Sequence, residues 1–209
     1  RIMSIFCAVV MLLALGMSPA MAQDTADAVF TLLSRDALGV DTPIGSAVLL
    51  ADGQTLVTTT EAAQARGALY ARGGGQVYAV TRGTSLNDRL VRLTIDTVSA
   101  LTPLTLNTAD VAGSVVVGVD AAGNALRSDM TALGTVLWQE VSCTLVSAKP
   151  GFLCGAAVLD GEGALVGIIA VVYGEGNGRD VVLAADALSE ALTGEKRAAS
   201  TDIPAAAVA

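Results

Sequence analysis

The stretch PGFLCGAAVLDGEGALVGI, Pro150 to Ile168, sets a sulfur nucleophile, Cys154, in a glycine-punctuated loop ahead of two short apolar runs. A side chain presented from such a loop is suited to attack on a carbonyl, forming a covalent intermediate. Attack requires a thiolate, and a thiol with a pKa near 8.5 needs an adjacent base or cation to become one. The usual base is an imidazole, yet the chain contains no histidine. Hydroxyl nucleophiles also stand nearby, at Ser142, Thr144 and Ser147, with Lys149 as a non-histidine base. Proximity in sequence is all that recommends them.

Of the three cysteines, Cys7 lies in the first, apolar stretch, which leaves Cys143 and Cys154 for a mature protein. An even count in an oxidising compartment points to a bridge. Closing so short a loop stabilises by about 3 kcal/mol in the chain-entropy model. The same pair can instead be two buried thiols or two reactive ones. With no histidine and two cysteines, a zinc site of the common Cys/His kind cannot be assembled. Neither a metal nor a cofactor is expected.

Arg1 leads an uninterrupted apolar run from Ile5 to Leu15, followed by Gly16, Pro19 and the small-x-small exit Ala20-Met21-Ala22. That pattern is a secretory signal peptide over residues 1–22, with a periplasmic or secreted destination. The run falls short of the roughly 20 apolar residues that a membrane span needs. The net charge is −8, and Lys149 and Lys196 are the only lysines. A phosphate backbone requires a positive footprint, so nucleic acid is excluded as a partner. A protein or peptide ligand is left as the partner class.

From Ala28 onward, short apolar runs alternate with Gly, Asp and Asn breaks. IGSAVLLADGQTLVTTT places two of them about Asp52-Gly53, a strong hairpin signal. Further turns are expected at Gly73-Gly74-Gly75 and Gly123-Asn124. TALGTVLWQEVSCTLVSA reads as one broken strand or a pair, with Trp138, the sole tryptophan, as core filling. Strands at this spacing describe a sandwich or a pair of barrels. Two segments read as helical. TEAAQARG is one turn or two with Thr60 as the cap, and AADALSEALTGE carries Ala187, Leu188, Ala191 and Leu192 on one face.

Three motifs carry a resemblance to the trypsin-like serine peptidases, in particular to their HtrA/Deg-like branch. IGSAVLLADGQTLVTTTEAA resembles that family's first-barrel hairpin, and DRLVRLTID resembles its aspartate-bearing strand. CGAAVLDGEGALVGI is similar to its nucleophile segment, with Cys154, Gly163 and Gly167-Ile168 in matching positions. The resemblance covers about Ala28 to Gly194. It implies an all-β fold of two six-stranded-type barrels with a C-terminal α-helix. The first barrel half is expected over 23–110, the second with the helix over 111–194, and a loose tail over 195–209.

Carried across residue by residue, the family's triad is degenerate here. Glu61 stands at the histidine position, Asp88 at the aspartate position and Cys154 at the serine position. Phe152 replaces a glycine whose N–H would help to cradle the oxyanion, and Ala156 replaces a second glycine. A residue with a Cβ is penalised where a loop needs glycine's conformations. Ala148 matches the base of the specificity pocket. A carboxylate at Glu61 is a weak base for a thiol, and its charge opposes thiolate formation. Glu61 also suits a helix start, and Asp88 a turn after Asn87.

Three functional readings follow. The first is an exported trypsin-like homologue that no longer cleaves and is kept for binding or a structural role. The second is an active serine- or cysteine-type endopeptidase with a non-standard site. The third is a β-rich envelope binding protein unrelated to proteases. They part on geometry, since the family reading requires Glu61, Asp88 and Cys154 to meet between two barrels.

Overall fold

A computed structural model describes residues 26–50, 52–148, 151–173, 179–193 and 202–203. The expected signal peptide, residues 1–22, and the candidate base Lys149 lie outside the described residues. The first half is a ring of six antiparallel strands: β1 (Val29–Arg35), β2 (Asp41–Leu50), β3 (Thr55–Thr59), β4 (Ala68–Gly73), β5 (Gln76–Ser85) and β6 (Leu90–Ile95). The order β5-β4-β1-β2-β3-β6 closes because β5 also pairs with β6. Closure removes the open sheet edges that would otherwise invite another chain.

Turn chemistry sets the registers. Asp52 Oδ1 accepts the N–H groups of Gln54 and Thr55 at 2.9 and 2.7 Å, and Gly53 takes φ 71°. This fixes the β2–β3 hairpin where Asp52-Gly53 predicts it. Gly74 and Gly75 turn the chain between β4 and β5. Inside the ring, Phe30, Leu32, Leu49, Leu56, Leu93 and Ile95 are fully buried. Each such side chain contributes about 1.5–3 kcal/mol on leaving water.

The connection to the second half is itself part of the packing. Leu104 bridges to Leu50 of β2, and Leu106 bridges to Leu165 of the second half. There the strands are β7 (Val115–Val119), β8 (Ala125–Asp129), β9 (Thr131–Trp138), β10 (Val141–Ser147), β11 (Ala157–Leu159), β12 (Leu165–Tyr173) and β13 (Arg179–Ala184). Their order is β8-β7-β11-β12-β13-β10-β9. The two end strands are joined covalently through Met130 alone, so the sheet curls back on itself. Its interior holds Val116, Val146, Val158, Val166, Ile169 and Val182. Its outer face adds Val117, Leu159, Ile168, Val181 and Leu183 to the core shared with the first barrel.

The stretch read as one broken strand or a pair is a pair, β9 and β10, turning at Gln139 and Glu140 with φ of 47° and 68°. Trp138 is half-buried against the shared core, as expected of a core filler. The terminal helix forms as α1 (Ala185–Thr193), burying Ala185 and Leu188. TEAAQARG departs from the expectation. It is a turn rather than a helix, and its cap is Thr59, whose Oγ1 accepts the Ala62 N–H at 3.2 Å. The backbone N–H of Thr60 instead donates to Arg89 O, which draws that residue into a tertiary contact. In the stretch read as a loose tail, Asp202–Ile203 form a short strand, β14, on the outer edge of β5.

Candidate functional site

Glu61 lies in the turn that follows β3, and Asp88 lies in the β5–β6 connection. That connection is shaped by Asn87, whose Oδ1 accepts the N–H groups of Arg89 and Leu90, both at 2.9 Å. Thr60 N donates to Arg89 O at 2.8 Å, tying the two turns together by their backbones. Both carboxylates are exposed. Asp88 therefore has the surroundings of a turn residue at the rim, beside the turn that carries Glu61.

Cys154 enters from the second barrel. Leu153 N donates to Val119 O at 2.9 Å, and Gly155 N donates to Ile169 O at 2.8 Å. Cys154 O accepts the Ser46 N–H of β2 at 2.8 Å, so the loop is fastened across the gap between barrels. Two glycines permit this approach. A Cβ on Gly45 would lie 2.5 Å from the Ala62 Cβ and 3.0 Å from Cys154 O. A Cβ on Gly155, which has φ +85°, would lie 1.9 Å from Ser46 O. No side chain fits at that distance. Gly45 is thus where the Glu61 turn and the Cys154 loop meet, and the three triad-matching segments share one seam between the barrels.

Burial continues beneath the seam. Thr58 Oγ1 donates to Ser46 O at 2.5 Å, while Ser46 Oγ is buried and has no hydrogen-bond partner among the described residues. Phe152 corrects one expectation. It does not take a left-handed conformation; that role falls to its neighbour Gly151, with φ 110°. The Phe152 ring is 2% exposed and packs in the interior of the second barrel with Ala148 and Ala156. The loop therefore uses the Phe152 side chain as an anchor.

The expected Cys143–Cys154 bridge is not formed. The two sulfurs belong to differently anchored elements. Cys143 of β10 pairs with Val136 of β9 and packs in the shared core, whereas Cys154 is held through its carbonyl to Ser46. Burial pushes the Cys143 thiol pKa up; the Arg89 guanidinium opposes the shift and the Asp186 carboxylate adds to it. This thiol is kept protonated.

Two residues absent from the sequence reading matter here. Arg89, next to Asp88, crosses to the second barrel and donates to Gln139 O in the β9–β10 turn. Asp180 of β13 is 2% exposed, and burial alone raises its carboxyl from 3.8 to about 6. It shares the face of Val182, so it points among the apolar side chains inside the second barrel. A polar residue in phase with Val182 in RDVVLA was the available signal.

Solved structures with the same architecture are proteases. The Rv3671c protease of M. tuberculosis in its active form superposes with a TM-score of 0.69 at 13% identity, covering 83% of this chain and 82% of that one. Its inactive form gives 0.66 at 15%, covering 87% and 94%. The HtrA-type protease AlgW, solved with a decapeptide, gives 0.69 at 19%, covering 85% and 67%. No protein-family model and no curated protein sequence matches the chain. Likeness at these identities establishes the chymotrypsin-like fold.

Proposed function

We propose that this chain, built on the chymotrypsin-like fold, is an exported protease homologue that has lost peptide-bond cleavage and uses the surface along the seam between its barrels to bind a protein or peptide. The observation that carries this reading is the seam itself. The turn assigned by resemblance to the general base bears Glu61, the nucleophile loop bears Cys154, and no histidine exists in the chain to serve either. In the serine-protease mechanism the imidazole takes the nucleophile's proton and returns it to the leaving amine. A carboxylate ordinarily titrating near 4.3 is poorly matched to a thiol near 8.5. Bringing it close disfavours the thiolate further.

A retained seam agrees with the glycines at 45 and 155, which let the Cys154 loop, β2 and the Glu61 turn approach one another. Peptide as the ligand class is supported by AlgW, an HtrA-type protease of the same fold solved with a decapeptide. Export is supported by the leader pattern of residues 1–22.

The test is chemical. The purified protein should hydrolyse neither casein nor ester substrates, and mass spectrometry should find no acyl group on Cys154 after incubation with an activated ester. Turnover that disappears in Cys154→Ala would reject the proposal.

A further inference from the structure

Beside the seam, the first barrel has a cavity of about 390 Å³ at its surface, between the β1–β2 hairpin and the segment that follows the Glu61 turn. Ser34, Thr42, Ile44, Gln64 and Arg66 line it, with Asp36 at one side. Its volume falls in the range of small-ligand sites. Ile44, which lines the cavity, immediately precedes Gly45 of β2, the residue at which the Cys154 loop and Glu61 turn touch.

The backbone holds this wall in place. Arg66 N donates to Ser34 Oγ at 3.1 Å. The next residue, Gly67, lies so close to β1 that a Cβ would fall 2.1 Å from Arg35 O. The Arg66 Cα is therefore pinned at the rim of the cavity. Its side chain is exposed, and among the described residues no carboxylate forms an ion pair with it.

Arg35, on the same hairpin, behaves differently. It makes two bonds to Asp41, at 2.6 and 2.9 Å, and stacks over the Tyr70 ring with its guanidinium carbon 4.0 Å from the ring centroid. One arginine is committed to the fold, whereas the other faces the cavity uncommitted. Asp36 is also committed, because its Oδ1 accepts the Leu38 and Val40 N–H groups at 2.9 Å each and so builds the hairpin turn. The groups left to meet a ligand are the Arg66 guanidinium, the Gln64 amide and the Thr42 hydroxyl, around an apolar Ile44 floor. A guanidinium fork is matched to a carboxylate, which it can bind through two parallel hydrogen bonds.

We infer that this cavity binds a carboxylate borne by a peptide, with Arg66 as the anion-recognising group, Gln64 and Thr42 as auxiliary hydrogen-bonding groups, and an apolar side chain against Ile44. The inference rests on the peptide-binding reading of the nearby seam and specifies the ligand's charge. The carboxylate can come from a chain terminus or from an aspartate or glutamate side chain.

The full chain is titrated calorimetrically with three probes: Ac-Ala-Ala-Val as the free acid, the same peptide as its carboxamide, and Ac-Ala-Glu-Val carboxamide. The free acid should bind about two- to fivefold more tightly than its amide, the range for an exposed guanidinium–carboxylate pair. Arg66→Gln should abolish that difference and leave the melting temperature unchanged, while Arg66→Lys should restore part of it. If the glutamate probe matches the free acid, an acidic side chain is the natural source; if it matches the plain amide, a chain terminus is. Either result supports the site. Equal binding of acid and amide, or a preference that survives Arg66→Gln, overturns this inference and leaves the peptide-binding reading standing. Failure of all three probes to bind overturns the inference, and failure of longer peptides too would remove the reading beneath it.

Discussion

The two barrels bury their polar side chains differently. In the first, the buried polar groups are hydroxyls, among them Thr31, Ser46, Thr58 and Thr59. A hydroxyl can bond the nearest carbonyl, as Thr58 does with Ser46 O. The second barrel carries Asp180, the one buried charged-type residue among those described. Hydrogen bonds close the first ring all round, while the second closes through the chain at Met130. One barrel is a rigid support made of local pairing and apolar filling. Its partner brings the loop, the buried acid and the fastening to Ser46. The buried acid makes the second barrel the one sensitive to pH.

The most damaging way to break that relation is at the seam joining them. Gly155→Ala places a methyl group 1.9 Å from Ser46 O on a backbone with φ +85°. Neither the carbonyl nor the loop can yield without losing the Ser46–Cys154 hydrogen bond. The expected loss is about 5 kcal/mol or more, comparable with the whole stability of many domains. Urea denaturation should show an unfolded or separated-barrel protein; a melting curve like that of the parent would mean the barrels do not need this contact.

Within the first barrel, Phe30→Ala removes a fully buried ring that packs at 5.7 Å from Tyr78. Gly73 approaches the same ring so closely that its surroundings are shaped around it. A cavity of that size costs about 3–5 kcal/mol. The loss should appear as a lower urea midpoint with the slope unchanged. A cost below about 1 kcal/mol would contradict the view of this barrel as the rigid member.

How much of this division could be read from the chain depends on the range of the forces involved. Asp52-Gly53 and Gly123-Asn124 announce their turns because an Asx side chain bonds its own backbone a few residues on. Asp120 does so with the N–H groups of Ala122 and Asn124. The spacing of Cys154, Gly163 and Gly167 likewise survives as the loop and the β11–β12 hairpin. Long-range approaches leave no such trace. Nothing in the letters GS at 45–46 tells of the Cys154 carbonyl, and an even cysteine count pointed to a bridge that separate anchoring prevents. Thr59 and Thr60 are identical in type, yet the tertiary bond from Thr60 to Arg89 leaves capping to Thr59. The Arg66 cavity depends on Gly67 lying flush with β1, a contact between residues far apart in sequence.

Asp180 offers the finest test of the contrast, because replacing it should stabilise the second barrel. Its carboxyl titrates at about 6 in the folded chain against 3.8 ordinarily, and desolvation is the cause. A buried acid of this kind is favoured when protonated. The contribution of this one group to stability is therefore greatest below about pH 4, falls as the pH rises towards 6, and is level above that. By the linkage relation the loss reaches roughly 3 kcal/mol at most. Asp180→Asn keeps the shape and removes the titration. At pH 8 the variant should melt higher than the parent, whereas at pH 4 the two should converge. The equivalent comparison in the first barrel, Thr58→Val, should show no such dependence on pH, since a hydroxyl does not titrate there. A parent protein whose stability is flat between pH 4 and 7 would show that Asp180 finds a compensating partner, and the supposed difference between the barrels would disappear with it.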